Sequence, residues 1–356
     1  MEIEPTGEDG RAVVAMDRAA FVVSIDTEMA WGLVHRPERR YRYDGERDHL
    51  RRTLAVFDRY AIPATWAIVG HLMLDGCAPV DGVKHPEIVR PDLAWFSGDW
   101  FDADPCSTAE LAPTWYAPDL IGTIRAATTR HEIASHGFSH IVAGDPGCSR
   151  ATFDSEIRAA MAAAARHGLT LRSLVHPRNR VGHTDVLVEH GFVAYRGRRP
   201  APNRPPGAGR RAVDGLVDRL GSSERTIVRP HREGPLWNLP ATVLFDVDAR
   251  PRTWRIWMRQ VERRLDQAVR HGSLFHLWFH PHNLRDRPDV ALAALDRIGR
   301  AAAAHRDAGR LATLTMSALA DRLTDAHRAV TDPPAGADRA GRVQVSGGHT
   351  DQGTIT

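Results

Sequence analysis

Apolar residues along this chain fall into short unbroken runs, separated by stretches whose apolar positions recur with helical period. Phe21-Val22-Val23-Ser24-Ile25-Asp26 is a β-branched run of the kind buried in parallel sheets. Residues 46–60, with Leu50, Leu54, Val56 and Phe57, predict an amphipathic helix, and Ile62–Gly70 predicts a second buried strand. Residues 119–130 predict a helix leading into a short strand at His131–Ile133. The alanine-rich stretch 150–168 is strongly helical, and the strand Leu171–Val175 follows. Asp185–His190 begins a helix and Gly191–Tyr195 forms a strand. Thr253–His271 reads as a long helix, Leu274–Phe279 as a strand, 288–306 as a helix and Leu311–Thr315 as the last strand. This alternation predicts a layered or barrel α/β fold.

Four stretches break the pattern. From Leu72 to about Leu120 the chain is irregular and rich in Pro, Asp and Trp, and connections of that length are often functional. Its aromatic residues, Trp115 among them, could stack on a sugar ring or could cover one end of the core. Residues 196–212, rich in Arg, Pro and Gly, read as a solvated surface loop. Residues 1–19 read as a loose leader and 329–356 as a disordered tail, which leaves one catalytic domain at 20–328.

The 356 residues suffice for a sizeable core, and 42% hydrophobic with 26% charged residues is ordinary for a soluble protein. The net charge of +3 (47 − 44) gives no footing for a nucleic-acid partner. Cys77, Cys106 and Cys148 are odd in number, lack metal-ligand spacing and make no disulfide framework, which fits a reducing compartment. No signal-length or membrane-spanning apolar run is present, so the expected location is cytoplasmic, with no stable membrane insertion.

The polar residues that interrupt this frame sit at consistent places. Asp26 and Glu28 end the first strand, spaced so that both can point the same way. Two acids there are costly unless a metal or a base role compensates, although a strand exit into solvent is the plainer alternative. His136 and His140, four residues apart in His131-Glu132-Ile133-Ala134-Ser135-His136-Gly137-Phe138-Ser139-His140, would share one face of a helical turn and could bind one ion. Arg178 follows the fourth strand and His280 the sixth. All lie at the C-terminal edge of predicted strands, where active sites of parallel α/β folds assemble.

The chain resembles the polysaccharide deacetylases, the NodB-homology domains of carbohydrate esterase family four, over about residues 20–320. Ser24–Glu28 is similar to the first motif and HEIASHGFSH to the second, the most specific match. Val175-His176-Pro177-Arg178-Asn179 is similar to the third in a variant form, and His280 to the last-motif histidine. Glu233–Pro240 stands where the family places its substrate-pocket tryptophan, here Trp237. The resemblance implies a distorted (β/α) barrel with about seven parallel strands, a divalent metal ion, usually zinc, and hydrolysis of an N-acyl group from an amino sugar. It departs in the first motif, where most members have two adjacent aspartates: here Thr27 follows Asp26, so Glu28 must supply the second carboxylate.

These residues suggest a division of labour. Glu28, His136 and His140 hold the metal, Asp26 is the general base, His280 the general acid, and Arg178 keeps Asp26 ionised. Which carboxylate is the ligand stays open, as does an exchange of roles between His280 and its neighbours His276 and His282. Trp237 and Trp115 are the candidate substrate contacts. The expected partner is a carbohydrate or a glycosylated small molecule, with a nucleotide- or lipid-linked sugar suiting a cytoplasmic enzyme. Two other readings are hydrolysis of a non-sugar amide, formamide or cyclic ureide, and a glycan-binding domain without catalysis.

Overall fold

The seven apolar runs all form strands, and the polar clusters collect at one edge of the sheet they build. The structure is a computed structural model that describes residues 16–36, 43, 45–197, 227–246 and 251–331, with two short strands at 3–4 and 13–14. The strands are β1 (Ile3–Glu4), β2 (Val13–Val14), β3 (Ala19–Thr27), β4 (Thr65–Ile68), β5 (Glu132–Ser135), β6 (Ser173–Val175), β7 (Ala194–Arg196), β8 (His231–Glu233), β9 (Leu236–Asn238), β10 (Val243–Leu244), β11 (Leu274–Phe279) and β12 (Leu311–Leu314). The helices are α1 (Glu46–Tyr60), α2 (Asp119–Arg125), α3 (Arg150–Ala165), α4 (Thr184–Glu189), α5 (Pro251–Arg270), α6 (Pro288–Asp307) and α7 (Met316–Thr331).

The sheet runs β1-β2-β8-β9-β7-β6-β5-β4-β3-β11-β10, with β12 also on β3. Every pairing from β9 through β10 is parallel, and β12 joins β3 in the same sense. The β8–β9 hairpin and β1–β2 extend the far edge in antiparallel fashion. Among the described residues no pairing joins the two ends, so the sheet is a curled, mostly parallel half-barrel, a distorted (β/α) barrel.

β3 is the spine. All nine of its residues are buried, as expected of a parallel strand covered on both faces. Residues 20–25 pair with β11 on one edge, while 19–22 pair with β12 and 24–27 with β4 on the other. Its end therefore delivers Asp26 and Glu28 between the ends of β4 and β11. The helices pack by the faces their sequences imply: α1 buries Leu50, Leu54 and Phe57, and α3 buries Phe153, Ile157, Ala160 and Ala164. Ser149 caps α3 by accepting the Thr152 N–H at 3.1 Å.

Several boundaries differ from expectation for local reasons. The helix expected over 119–130 stops at Arg125, because Thr128 and Thr129 donate their N–H groups to Asp58 at 3.1 and 2.7 Å. The next strand begins one residue late, at Glu132, and runs on to Ser135. The leader contributes β1 and β2, and α7 continues to Thr331, past the expected domain end at 328. Residues 198–226, most of the Arg/Pro/Gly stretch, and the tail beyond Thr331 lie outside the described residues. None of the described helices is long and apolar enough to cross a membrane.

Glu132 ties the opposite, N-terminal edge together. It accepts from Thr65 Oγ1 at 2.9 Å, Ser173 Oγ at 2.7 Å and the Ser317 N–H at 3.0 Å, linking β4, β5, β6 and α7. Glu132→Ala is expected to cost about 1–3 kcal/mol by leaving these donors unpaired. A lower chemical denaturation midpoint at unchanged slope is the expected readout, and an unchanged midpoint would contradict the role.

Candidate active site

The C-terminal ends of β3 and β11 and the turns after β5 and β6 surround a cavity of about 270 Å³, lined by Asp26, Glu28, His140, Arg178, Asn179 and His280 among others. Glu28 is its centre. His136 Nε2 lies 3.1 Å, His140 Nε2 3.0 Å and His280 Nε2 3.2 Å from Glu28 Oε1. The histidine pair does not ride on a helical turn as expected. The chain reverses after β5 through Gly137 (φ 76°) and His140 (φ 62°), and this reversal brings the two rings to 5.1 Å between centroids.

That turn is pinned from two sides. The N–H groups of Gly70 and His71 donate to the carbonyls of Gly137 and Phe138 at 2.8 and 2.9 Å. From below, the buried carboxylate of Glu156 on α3 accepts the N–H groups of Phe138 and Ser139 at 2.9 and 2.8 Å. Glu156 falls on the apolar face of its helix, and its polarity there was the available sequence signal.

The donor set fits a divalent cation. His136 Nδ1 lies 2.7 Å from the Val175 carbonyl, so that nitrogen carries the proton and Nε2 turns a bare lone pair toward Glu28. An imidazole lone pair facing a carboxylate oxygen at hydrogen-bond distance calls for a positive charge between them. Glu28, His136 and His140 offer their ligand atoms to one point, and Asp26, Glu28 and His280 form an overlapping group.

Asp26 stands apart because its oxygens are already engaged. Arg196 Nη1 and Nη2 grip Oδ1 and Oδ2 at 2.7 and 2.6 Å, and both side chains are almost fully buried. Arg196 also donates to Ser24 Oγ at 2.9 Å and from Nε to Asn179 Oδ1 at 3.1 Å, and it lies 4.4 Å from the ring centre of Trp278. Burial works against ionisation of Asp26, but the charges of Arg196 and His280 outweigh it and lower the pKa. Burial likewise opposes Glu28, which His280 and His140 hold well below the ordinary carboxylate value. For His280 burial is outweighed by Glu28 and Asp26, which raise it to about 9.

The guanidinium expected at Asp26 is therefore supplied by Arg196, not Arg178. Arg178 lines the cavity instead, donating to His35 Nε2 at 2.8 Å and lying over the Trp95 ring at 4.6 Å. Arg196 closes β7 at the same sheet edge as the other clusters, so the strand-end rule applied to Gly191–Tyr195 would have found it; it is the first residue of the stretch expected to be a solvated loop, yet it is fully buried. Both expected substrate tryptophans are also elsewhere. Trp237 is wholly buried and donates to Thr324 Oγ1 at 2.9 Å, because β9 turns it onto α7. Trp115 is buried edge-on against Trp31, 5.1 Å between centroids. The histidine neighbours separate cleanly: His276 points away, bonded to Ser24 Oγ at 2.8 Å, while His282 stacks on His280 at 4.5 Å.

No family model and no curated protein sequence matches the chain. Solved structures do. A polysaccharide deacetylase structure from Mycobacterium smegmatis superposes with a TM-score of 0.58 at 17% identity, covering 92% of this chain and 96% of that one. A structure named as a polysaccharide deacetylase from Pseudomonas aeruginosa gives 0.53 at 14%, covering 86% and 91%. One named Puue allantoinase gives 0.53 at 16%, covering 88% and 91%. The chain thus has the NodB-like fold of the polysaccharide deacetylases, a fold shared with that allantoinase.

The two arginines make a direct comparison. Arg196→Met leaves Asp26 buried without its partner and is expected to cost about 3–5 kcal/mol of stability. Arg178→Met, on the cavity wall, should cost under about 1 kcal/mol. Equal effects in chemical denaturation would overturn the assignment of Arg196 as the partner of Asp26.

Proposed function

We propose that this protein is a divalent-metal-dependent hydrolase that removes an N-acyl group, typified by N-acetyl, from an amino-sugar-containing substrate such as a glycan precursor or glycosylated metabolite. The observation that carries this reading is the convergence of His136, His140 and His280 on Glu28 Oε1 at one cavity, with Asp26 held apart by Arg196. Glu28, His136 and His140 would hold the ion, with zinc as the expected metal. When bound, such an ion polarises an acyl carbonyl and lowers the pKa of water at the site.

The chain's own groups do the proton work. Asp26, kept ionised by the bidentate guanidinium, accepts the proton of the attacking water as general base. His280 Nε2, 3.7 Å from Asp26 Oδ2, delivers a proton to the departing amine. Asn283 fixes that ring: its Oδ1 is 3.2 Å from His280 Nδ1 and accepts the His280 backbone N–H at 2.8 Å, so Nε2 faces the cavity. Arg178 and Tyr43 on the wall are placed to orient polar groups of the substrate. The three free cysteines accord with a reducing compartment such as the cytoplasm.

A second reading has one specific support. Trp115 and Trp237 are buried away from the cavity, whose aromatic lining is Tyr43 and Trp278, and its volume of about 270 Å³ suits a compact amide or cyclic ureide. A panel of N-acetylated sugars, glycosylated metabolites, formamides and cyclic ureides, each assayed by mass spectrometry of products, separates the two.

His136→Ala is expected to lose the cavity's metal and the activity; unchanged cavity metal and activity would sink the site assignment. His280→Ala should keep the metal and lose about 10²–10⁴-fold in kcat, as for a missing general acid. Loss of metal in His280→Ala would make it a ligand instead. Glu28→Ala should empty the site while Asp26→Asn leaves it filled, and the reverse would exchange the two carboxylates.

A further inference from the structure

A second constellation lies outside the cavity, in the turn Gly70–Met73 and the irregular connection that follows it up to α2. His71, Cys77, His85 and Asp104 bring four ligand atoms of metal-binding type together. His71 Nε2, His85 Nε2 and Asp104 Oδ2 form a triangle with 3.1 Å sides. Cys77 Sγ completes the figure, 3.8 Å from His71 Nε2 and 3.6 Å from Asp104 Oδ2. Zinc bond lengths in a tetrahedron require edges of about 3.3 Å between nitrogen or oxygen ligands and about 3.6 Å to sulfur. The cluster has those proportions.

The surrounding hydrogen bonds turn three of the four ligands inward. His71 Nδ1 lies 3.1 Å from the Trp115 carbonyl and His85 Nδ1 3.1 Å from Glu87 Oε1, so both carry their protons on the outer nitrogen. Asp104 Oδ1 is occupied by the Tyr116 hydroxyl and the Cys106 N–H, both at 3.0 Å, which leaves Oδ2 for the centre. His71 Nε2, His85 Nε2 and Asp104 Oδ2 then meet around one point, with the Cys77 thiol directed at the same carboxylate oxygen. The side chains of His71 and Asp104 are completely buried, so solvent does not compete for these ligand atoms.

We propose that His71, Cys77, His85 and Asp104 bind a structural zinc ion. Four protein ligands close the coordination sphere, which marks a structural site and not a catalytic one. The backbone is strained at this site: His85 (φ 45°) and Cys106 (φ 41°) occupy the left-handed region. Lys84, the only lysine of the chain, is spent on the same loop, donating to the carbonyls of Phe101, Asp102 and Asp104 at 3.2, 3.1 and 2.6 Å. The ion would staple a long segment that has no helix or strand of its own from Leu74 to Pro118. It would also brace the turn carrying His136 and His140, since the ring of His71 packs on Phe138 at 5.5 Å.

The test measures zinc by elemental analysis in full-length protein purified without chelator, using His136→Ala/His140→Ala as the starting chain. That chain, with the cavity cluster dismantled, is expected to retain one zinc per molecule, and adding His85→Ala should remove it. No zinc in the starting chain, or zinc unaffected by His85→Ala, would overturn the proposal. Cobalt substitution of the folded starting chain serves if the triple variant does not fold. A thiolate-to-cobalt charge-transfer band is expected there, because the cavity cluster contains no sulfur, and Cys77→Ser should abolish it. Absence of the band, or a Cys77–Cys106 disulfide in the purified protein, would overturn the assignment; these sulfurs are unbonded at 3.4 Å here.

Discussion

One carboxylate oxygen sets the terms for the active-site end of this molecule. Glu28 Oε1 is met by three imidazole nitrogens within 3.2 Å, and Glu28 itself is buried. Charge packed that closely at low dielectric is tolerable only when opposite charge is held with it, as a metal ion or a proton. The fold serves that requirement. β3 carries Glu28 to the sheet edge, β5 hands over to the turn bearing His136 and His140, and β11 ends at His280. The neighbouring Asp26, 3.7 Å from His280 Nε2, is gripped on both oxygens by a different cation, Arg196. Two carboxylates two residues apart thus acquire distinct environments from their partners, which is the usual way a site separates a base from a ligand.

The same logic recurs in the connection after β4. There the ligand atoms come from a turn and a loop with no regular structure, and they stand close behind the turn that holds the cavity histidines. The link is Phe138, which lies in the turn between His136 and His140 and packs on His71 beside Trp31 and Tyr116. Order in the irregular segment and order in the cavity are therefore coupled through packing.

Much of this was legible from the chain. The parallel strands announce themselves because each is apolar on both faces, and the strand-end rule located Asp26, Glu28, His136, His140 and His280. What escaped notice depends on long-range geometry. Arg196 is a single residue whose burial follows from β7 lying next to β6, which local pattern does not report. Trp237 was assigned by motif likeness, whereas the β8–β9 hairpin turns it onto α7. The second cluster escaped because its ligands sit at positions 71, 77, 85 and 104, intervals that match no metal-binding spacing. Only the path of the loop brings them together.

The central claim is that the cavity is a metal centre built on Glu28, with Asp26 free to act as a base. Diffraction from crystals of the zinc-loaded protein, with anomalous data at the zinc absorption edge, tests it most directly. The account predicts an anomalous peak at bonding distance from Glu28, His136 Nε2 and His140 Nε2, with Asp26 still paired to Arg196. A peak bonded to Asp26 in place of Glu28, or no peak in the cavity at full zinc loading, would contradict it.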